Sequence, residues 1–111
     1  MGYVDLYLLP IAEDRLDDYI AVASAFGAVA REHGALSYRE FRADDPGERF
    51  GAMAGAGQLL TAAVVDFESR EHRDEVMAKV IADPRVNDMG DDAIADMEQM
   101  RYGGFATIVD A

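Results

Sequence analysis

The chain has two histidines, and they occupy matching triplets, Arg31-Glu32-His33 and Arg70-Glu71-His72. Imidazole is the side chain that most readily changes charge near neutrality, so two of them beside carboxylates suggest acid and base work. The spacing around them predicts opposite roles. His33 closes a helix, where the negative end of the dipole favours the protonated ring, while His72 opens one, where the positive end favours the neutral ring. Antiparallel return of the first helix brings His33 toward Asp5, and the strand preceding the second helix ends at the same edge with Asp66. His33, His72, Asp5 and Asp66 are therefore the catalytic candidates, a constellation suited to proton transfer. A structural role accounts for the same residues: His33 lies on an apolar stripe and can be a hydrogen-bonded core residue, and His72 can pair with a nearby acid. The two copies are not a repeat, because their flanking apolar patterns differ.

Asp5 and Asp66 can also be cross-strand neighbours, in which case repulsion raises one carboxyl pKa. A shift of one residue in register would put them on opposite faces. Arg39, Arg42 and Arg101 are the positive groups nearest strands, and one of them could grip a carboxylate with two parallel hydrogen bonds. Ordinary surface pairing competes, since 22 acidic residues are available. Tyr3 and Tyr7 complete the substrate-binding candidates with Arg39 and Arg101. Two histidines and an aspartate give no specific metal spacing, so neither a metal nor a cofactor is expected. The glycine-rich stretch from Phe50 to Gln58 lacks a following helix and the lysine of a phosphate-binding loop, and reads as a hairpin connection. Met89, Met97 and Met100 read as gap-filling apolar residues.

The elements that would position these groups follow from periodicity. Residues 3–11 are rich in aromatic and branched residues and stop at Pro10, which predicts a strand with Val4, Leu6 and Leu8 on one face and Tyr3, Asp5, Tyr7 and Leu9 on the other. Residues 13–33 change to helical spacing, with Leu16, Tyr19, Ile20, Ala23, Phe26, Ala30 and His33 on one stripe and Gly34 as the stop. Residues 36–44 predict a second strand at a sheet edge, and Asp45-Pro46-Gly47 a turn. Residues 59–68 are the most continuously apolar stretch and predict a central strand. Ser69 caps a helix whose buried stripe is Val76, Met77, Val80 and Ile81, and Asp83-Pro84 ends it. A polar turn and at most a short helix lead to a last strand, residues 101–110, in which Gly103-Gly104 predicts a bulge or a close backbone approach.

Composition limits what such a chain does. Its 111 residues predict one domain, and 50% hydrophobic with 29% charged residues predicts a folded one. A net charge of −12, with Lys79 as the single lysine, repels phosphate backbones and anionic membranes, so nucleic acid and membrane are excluded as expected partners. There is no cysteine, hence no disulfide or thiol nucleophile, and the first residues do not resemble a signal peptide. The expected compartment is the cytoplasm.

The order strand, helix, strand, strand, helix, strand is the split βαβ arrangement of a ferredoxin-like α+β fold: an antiparallel sheet of order 4-1-3-2 with both helices on one face. The other face would expose several hundred Å² of apolar surface, which a second copy would cover, with Tyr3 or Tyr7 in the contact. The segments "REHGALSYRE", "SREHRDEVMAKVIADPR" and "MRYGGF" with the terminal "IVD", together with "YVDLYLLP", resemble the uncharacterised YbaA-like family of the dimeric α/β-barrel superfamily. That resemblance implies a ferredoxin-like protomer whose open sheet face packs on its twin to form a barrel. Similar folds in the superfamily include small monooxygenases, isomerases and haem-binding enzymes, and fold does not supply function. The segment before and within the third strand departs from the pattern in its glycines and alanines. The expected function is a homodimeric small-molecule enzyme or binder with its pocket inside the protomer or at the barrel mouth. The alternative is a non-catalytic or stress-related module in which the dimer is the functional object. A ligand-sized cavity with polar groups distinguishes the first from the second.

Overall fold

The computed structural model describes residues 2–87, 89 and 94–111. Strand β1, Tyr3–Ala12, leads through a 3-10 turn, Glu13–Arg15, into helix α1, Leu16–Glu32. Strand β2, Ser37–Arg42, is followed by the short helix α2, Gly47–Gly51, and strand β3, Gln58–Phe67. Helix α3, Arg70–Ala82, runs on into α4, Pro84–Asn87, and a 3-10 turn, Met97–Gln99, precedes strand β4, Arg101–Ala106. The sheet is antiparallel with order β2-β3-β1-β4, which is the expected 4-1-3-2 counted from the other edge.

β1 and β3 pair without a break from Tyr3 opposite Phe67 to Ala12 opposite Gln58. This register sends Tyr3, Asp5, Tyr7, Leu9 and Ile11 to one face with Thr61, Ala63, Val65 and Phe67. Helices α1 and α3 cover that face, where Ala30, Ala35, Val65, Phe67, Val76 and Val80 form the buried cluster. Expecting Tyr3 or Tyr7 at the open face is therefore incorrect: both lean on the core from the helix side. The open face carries Val4, Leu6 and Leu8 with Ala62, Val64, Phe41 and Phe105.

Several local expectations change. β1 does not stop at Pro10. The Pro10 carbonyl accepts from the Asp96 N–H, so its missing donor also faces that side, past the point where the β4 ladder ends at Arg101. The predicted hairpin connection contains α2 instead, entered from Pro46 with helix-compatible angles of φ −74° and ψ −15°. Ile20 and Ile81 leave their predicted stripes and are exposed, because each helix buries a narrower strip than apolar spacing implies. The last strand ends at Ala106, and Ile108 and Val109 lie exposed beyond it. The polar turn before it falls partly outside the described residues. Ser69 does cap α3, accepting from the His72 N–H. No helix among the described residues is long and apolar enough to cross a membrane.

Gly103-Gly104 resolves as a close approach, since the β1–β4 register is continuous. A Cβ at Gly104 would overlap the Tyr3 hydroxyl and stand 2.7 Å from ring carbons Cε1 and Cζ. Gly104→Ala should therefore lower stability by about 1–3 kcal/mol in urea unfolding. In a Tyr3→Ala background the added cost should nearly vanish, because the two substitutions act on one contact.

Candidate functional site

One row of residues crosses the covered face of all four strands: Glu40 opposite Ala63, Ala63 opposite Tyr7, and Tyr7 opposite Tyr102. Ala63 is the small member, and the space above it is not filled by its neighbours. Tyr19 and Phe26, two helical turns apart on α1, roof that space. The result is a cavity of about 240 Å³ lined by Tyr7, Leu9, Tyr19, Phe26, Tyr38, Glu40, Thr61, Ala63 and Met100.

Its polar groups gather at the β2 wall. The Tyr19 hydroxyl donates to Oε1 of Glu40 and the Tyr38 hydroxyl to Oε2, both through short hydrogen bonds. Burial first, and then the Glu40 carboxylate, raises both phenol pKa values above the ordinary 10, with Thr61 opposing slightly at Tyr19. Burial also pushes the Tyr7 phenol up to about 12, with the charge on Asp5 next in effect. Thr61 donates its hydroxyl to the Leu9 carbonyl at 2.8 Å, which ties β3 to β1 beneath the cavity. Behind the same wall lies an outer groove of about 410 Å³, lined by Tyr19, Tyr38 and Glu40 together with Ile20, Ala23, Ser24, Gly27, Ala28 and Arg31. The Tyr19–Glu40–Tyr38 bridge thus partitions two hollows. Tyr38 reaches it by lying against Gly27, where a Cβ would stand 2.5 Å from its Cδ1.

The residues predicted from sequence are distributed differently. His33 and His72 do come to one edge, since a Cβ on Gly34 would lie 3.7 Å from His72 Nε2. Each is occupied in packing. His33 Nε2 lies 2.8 Å from Oδ2 of Asp83, which also takes three hydrogen bonds from Arg85. The Asp83 carboxyl is held far below the usual range by Arg85 first and His33 second. His72 Nδ1 accepts the Glu68 N–H at 3.0 Å, leaving its proton on Nε2, and the ring meets Phe67 edge-on at 5.9 Å. Neither histidine lines the cavity or the groove. Asp5 and Asp66 are not cross-strand neighbours: Asp5 faces Val65 and Asp66 faces Val4, so they lie on opposite sides of the sheet. Asp66 accepts from the Ser37 hydroxyl. Arg39 stacks on Phe41 with 4.9 Å between guanidinium carbon and ring centre. Arg39 and Arg101 fall on the open face, away from the cavity.

Of the predicted site residues, Tyr7 alone lines the cavity; residue type and spacing do not mark Tyr19, Tyr38, Glu40 and Thr61 for chemistry. Strict alternation in "SYREFR" was the available signal, because it puts Tyr38 and Glu40 on the face opposite Arg39 and Phe41. Met100, expected as a gap-filling apolar residue, lies in the cavity wall. Among the described residues no group of three or more His, Asp or Glu is arranged to hold a metal ion.

Asp5 has a distinct environment. It is 2% exposed and receives a 2.6 Å hydrogen bond from Nη1 of Arg73, whose guanidinium also lies 5.1 Å from the Tyr3 ring centre. Burial raises the Asp5 pKa, and Arg73 pulls it back without cancelling the effect.

The architecture is that of an α+β, ferredoxin-like protein with a hollow between its sheet and first helix. SnoaB, a cofactor-independent oxygenase from Streptomyces nogalater solved as an N63A mutant, shares this fold with a TM-score of 0.61 at 11% identity over 98% of this chain and 95% of that one. At3g17210 from Arabidopsis thaliana superposes with a TM-score of 0.61 at 12% identity, covering 97% of this chain and 98% of that one. At such identities the likeness is one of fold. Residues 2–98 match the family described as Protein of unknown function (DUF1428), and the chain belongs to it. The uncharacterized protein YbaA of Escherichia coli K12 is 29% identical over 116 residues, spanning 99% of both chains.

Replacing Arg73 by Leu leaves the Asp5 carboxylate buried without its cation, so stability at pH 7 should fall by about 3–5 kcal/mol. An acid whose folded pKa is raised is best tolerated when protonated, so it disfavours folding increasingly as pH rises from its unfolded value toward its folded one. The Arg73→Leu penalty should accordingly shrink between pH 7 and pH 4.5 in urea titrations. A penalty independent of pH would show that packing, and not the charge, is what Arg73 supplies.

Proposed function

We propose that this chain acts as a single-domain, cytoplasmic homodimer that binds, and in its catalytic form transforms, a small molecule in the cavity between the sheet and α1. The observation that carries this is a hollow of about 240 Å³ whose wall holds a carboxylate and three phenols, two of them bonded to it. A chain whose only function was self-association would gain by filling such a space with side chains. The volume lies below the roughly 300–1,000 Å³ of drug-sized sites, which suits a ligand of about one ring. Glu40 is the group positioned to accept a proton from it, and Tyr7, Tyr19 and Tyr38 to orient it. The name of SnoaB as a cofactor-independent oxygenase adds an analogy of fold for monooxygenase-like chemistry without a cofactor, and no residue correspondence.

Support for the homodimer is the open face. Leu6, Phe50 and Phe105 are 36%, 52% and 53% exposed around a concavity of about 370 Å³, and Phe41 on the same face is 43% exposed. Soluble monomers rarely leave such an apolar surface uncovered.

Amide NMR of the labelled protein with a panel of single-ring compounds should show shifts concentrated at Tyr38, Thr61 and Ala63. Ala63→Leu, which fills the hollow from its floor, should abolish them while the melting temperature holds or rises. Binding that survives Ala63→Leu would remove the cavity from the proposal. Sedimentation at micromolar concentration should give twice the 12.1 kDa of one chain. Phe105→Asp should return the protein to monomer, and a wild-type monomer would overturn the dimer.

A further inference from the structure

Glu40 differs from the buried carboxylates Asp5 and Asp83 in what neutralises it. Asp5 has Arg73 and Asp83 has Arg85, at 2.6 and 2.7 Å. Glu40, half-buried in the cavity wall, is met by two phenols and forms no ion pair with any described residue. Arg31 shares the outer groove with it and Arg42 its face of β2, and neither pairs with it. Arg31, at the outer groove, donates to the carbonyls of Ala35 and Leu36. Arg42, on the same face of β2, is exposed.

A carboxylate has about four acceptor positions, and the two phenols occupy two of them, one on each oxygen. The remainder of the hollow is mainly rings and aliphatic side chains. Aromatic faces carry negative charge density and attract cations, more strongly where water is excluded. An anion accompanied by Tyr7, Tyr19, Phe26 and Tyr38 is thus complementary to positive charge with an apolar body. The net charge of −12 draws cations to the molecule and repels anions.

Taking the cavity as the ligand site, we propose that its ligand is a small organic cation, an amine or related aromatic base. Its N–H donates to Glu40 and its body lies among the rings of Tyr7, Phe26 and Tyr38. The ammonium supplies the charge that no arginine of the described chain brings to Glu40, and the charge-assisted hydrogen bond gives orientation. A neutral donor such as an alcohol or phenol could bond the same oxygens without neutralising them. That difference is what the experiment measures.

The probes are benzylamine, benzyl alcohol and benzoate, which share a ring and differ in charge. They are titrated into the unmodified protein at about 150 mM salt to screen attraction by distant charges. Protonated benzylamine should shift the amides of Tyr38, Glu40, Thr61 and Ala63, binding about tenfold or more tighter than benzyl alcohol, with benzoate inert. Glu40→Gln keeps the shape and all but one of the net negative charges, and it should reduce benzylamine to the affinity of the alcohol. Equal affinity of the alcohol and the amine at these amides would overturn the cation while leaving the cavity as a binding site. Failure of all three to move them would overturn both. The three-probe comparison stands on the wild-type protein, so it decides the matter even where Glu40→Gln folds poorly.

Discussion

The unbroken ten-residue pairing of β1 with β3 is the constraint from which the remaining features follow. Side chains alternate along a strand, so one choice of register decides at once which residues meet the helices and which face outward. It brings Phe67 and Val65 under α1 and α3, and puts Asp5 within reach of Arg73. It also sets Ala63 between Glu40 and Tyr7, which opens the hollow. Turning β3 over by one residue against β1 would bring Asp66 onto the covered face beside Asp5, two carboxylates where Arg73 now meets one.

The same alternation divides the labour between the faces. The covered face mixes core residues with the polar groups that could meet a ligand, while the outer face is apolar at its centre, with Arg39 and Arg101 on its flanking strands. The proposed site and the proposed contact surface therefore draw mostly on different residues of the same strands. Leu9 and Leu8 are chain neighbours, yet Leu9 lines the cavity and Leu8 the outer concavity.

Much of this arrangement is legible in the amino-acid order. The element sequence and strand order follow from periodicity, because strand and helix spacings differ enough to survive local exceptions, and Ser69 declares its helix start by type. What escapes is whatever depends on register or on neighbours distant in sequence. Asp5 and Asp66 look like a pair until the register separates them, and two histidines in matching triplets look like a site although Asp83 and the Glu68 backbone engage them. Glu40 has the opposite problem. A glutamate on an edge strand reads as a solvated charge, and only the arrival of Tyr19 from a helix 21 residues away makes it the centre of the cavity wall.

Gly27 has a reach well beyond its own turn of helix. Because nothing projects from it, the Tyr38 ring can lie close against α1 while lining the hollow. A side chain there would have to displace the ring, and with it one wall of the hollow. The absence of a single methyl group on the roof thus sets the girth of the chamber below. Position 27 acts as a caliper: through a contact made outside the hollow, it fixes where the Tyr38 wall stands.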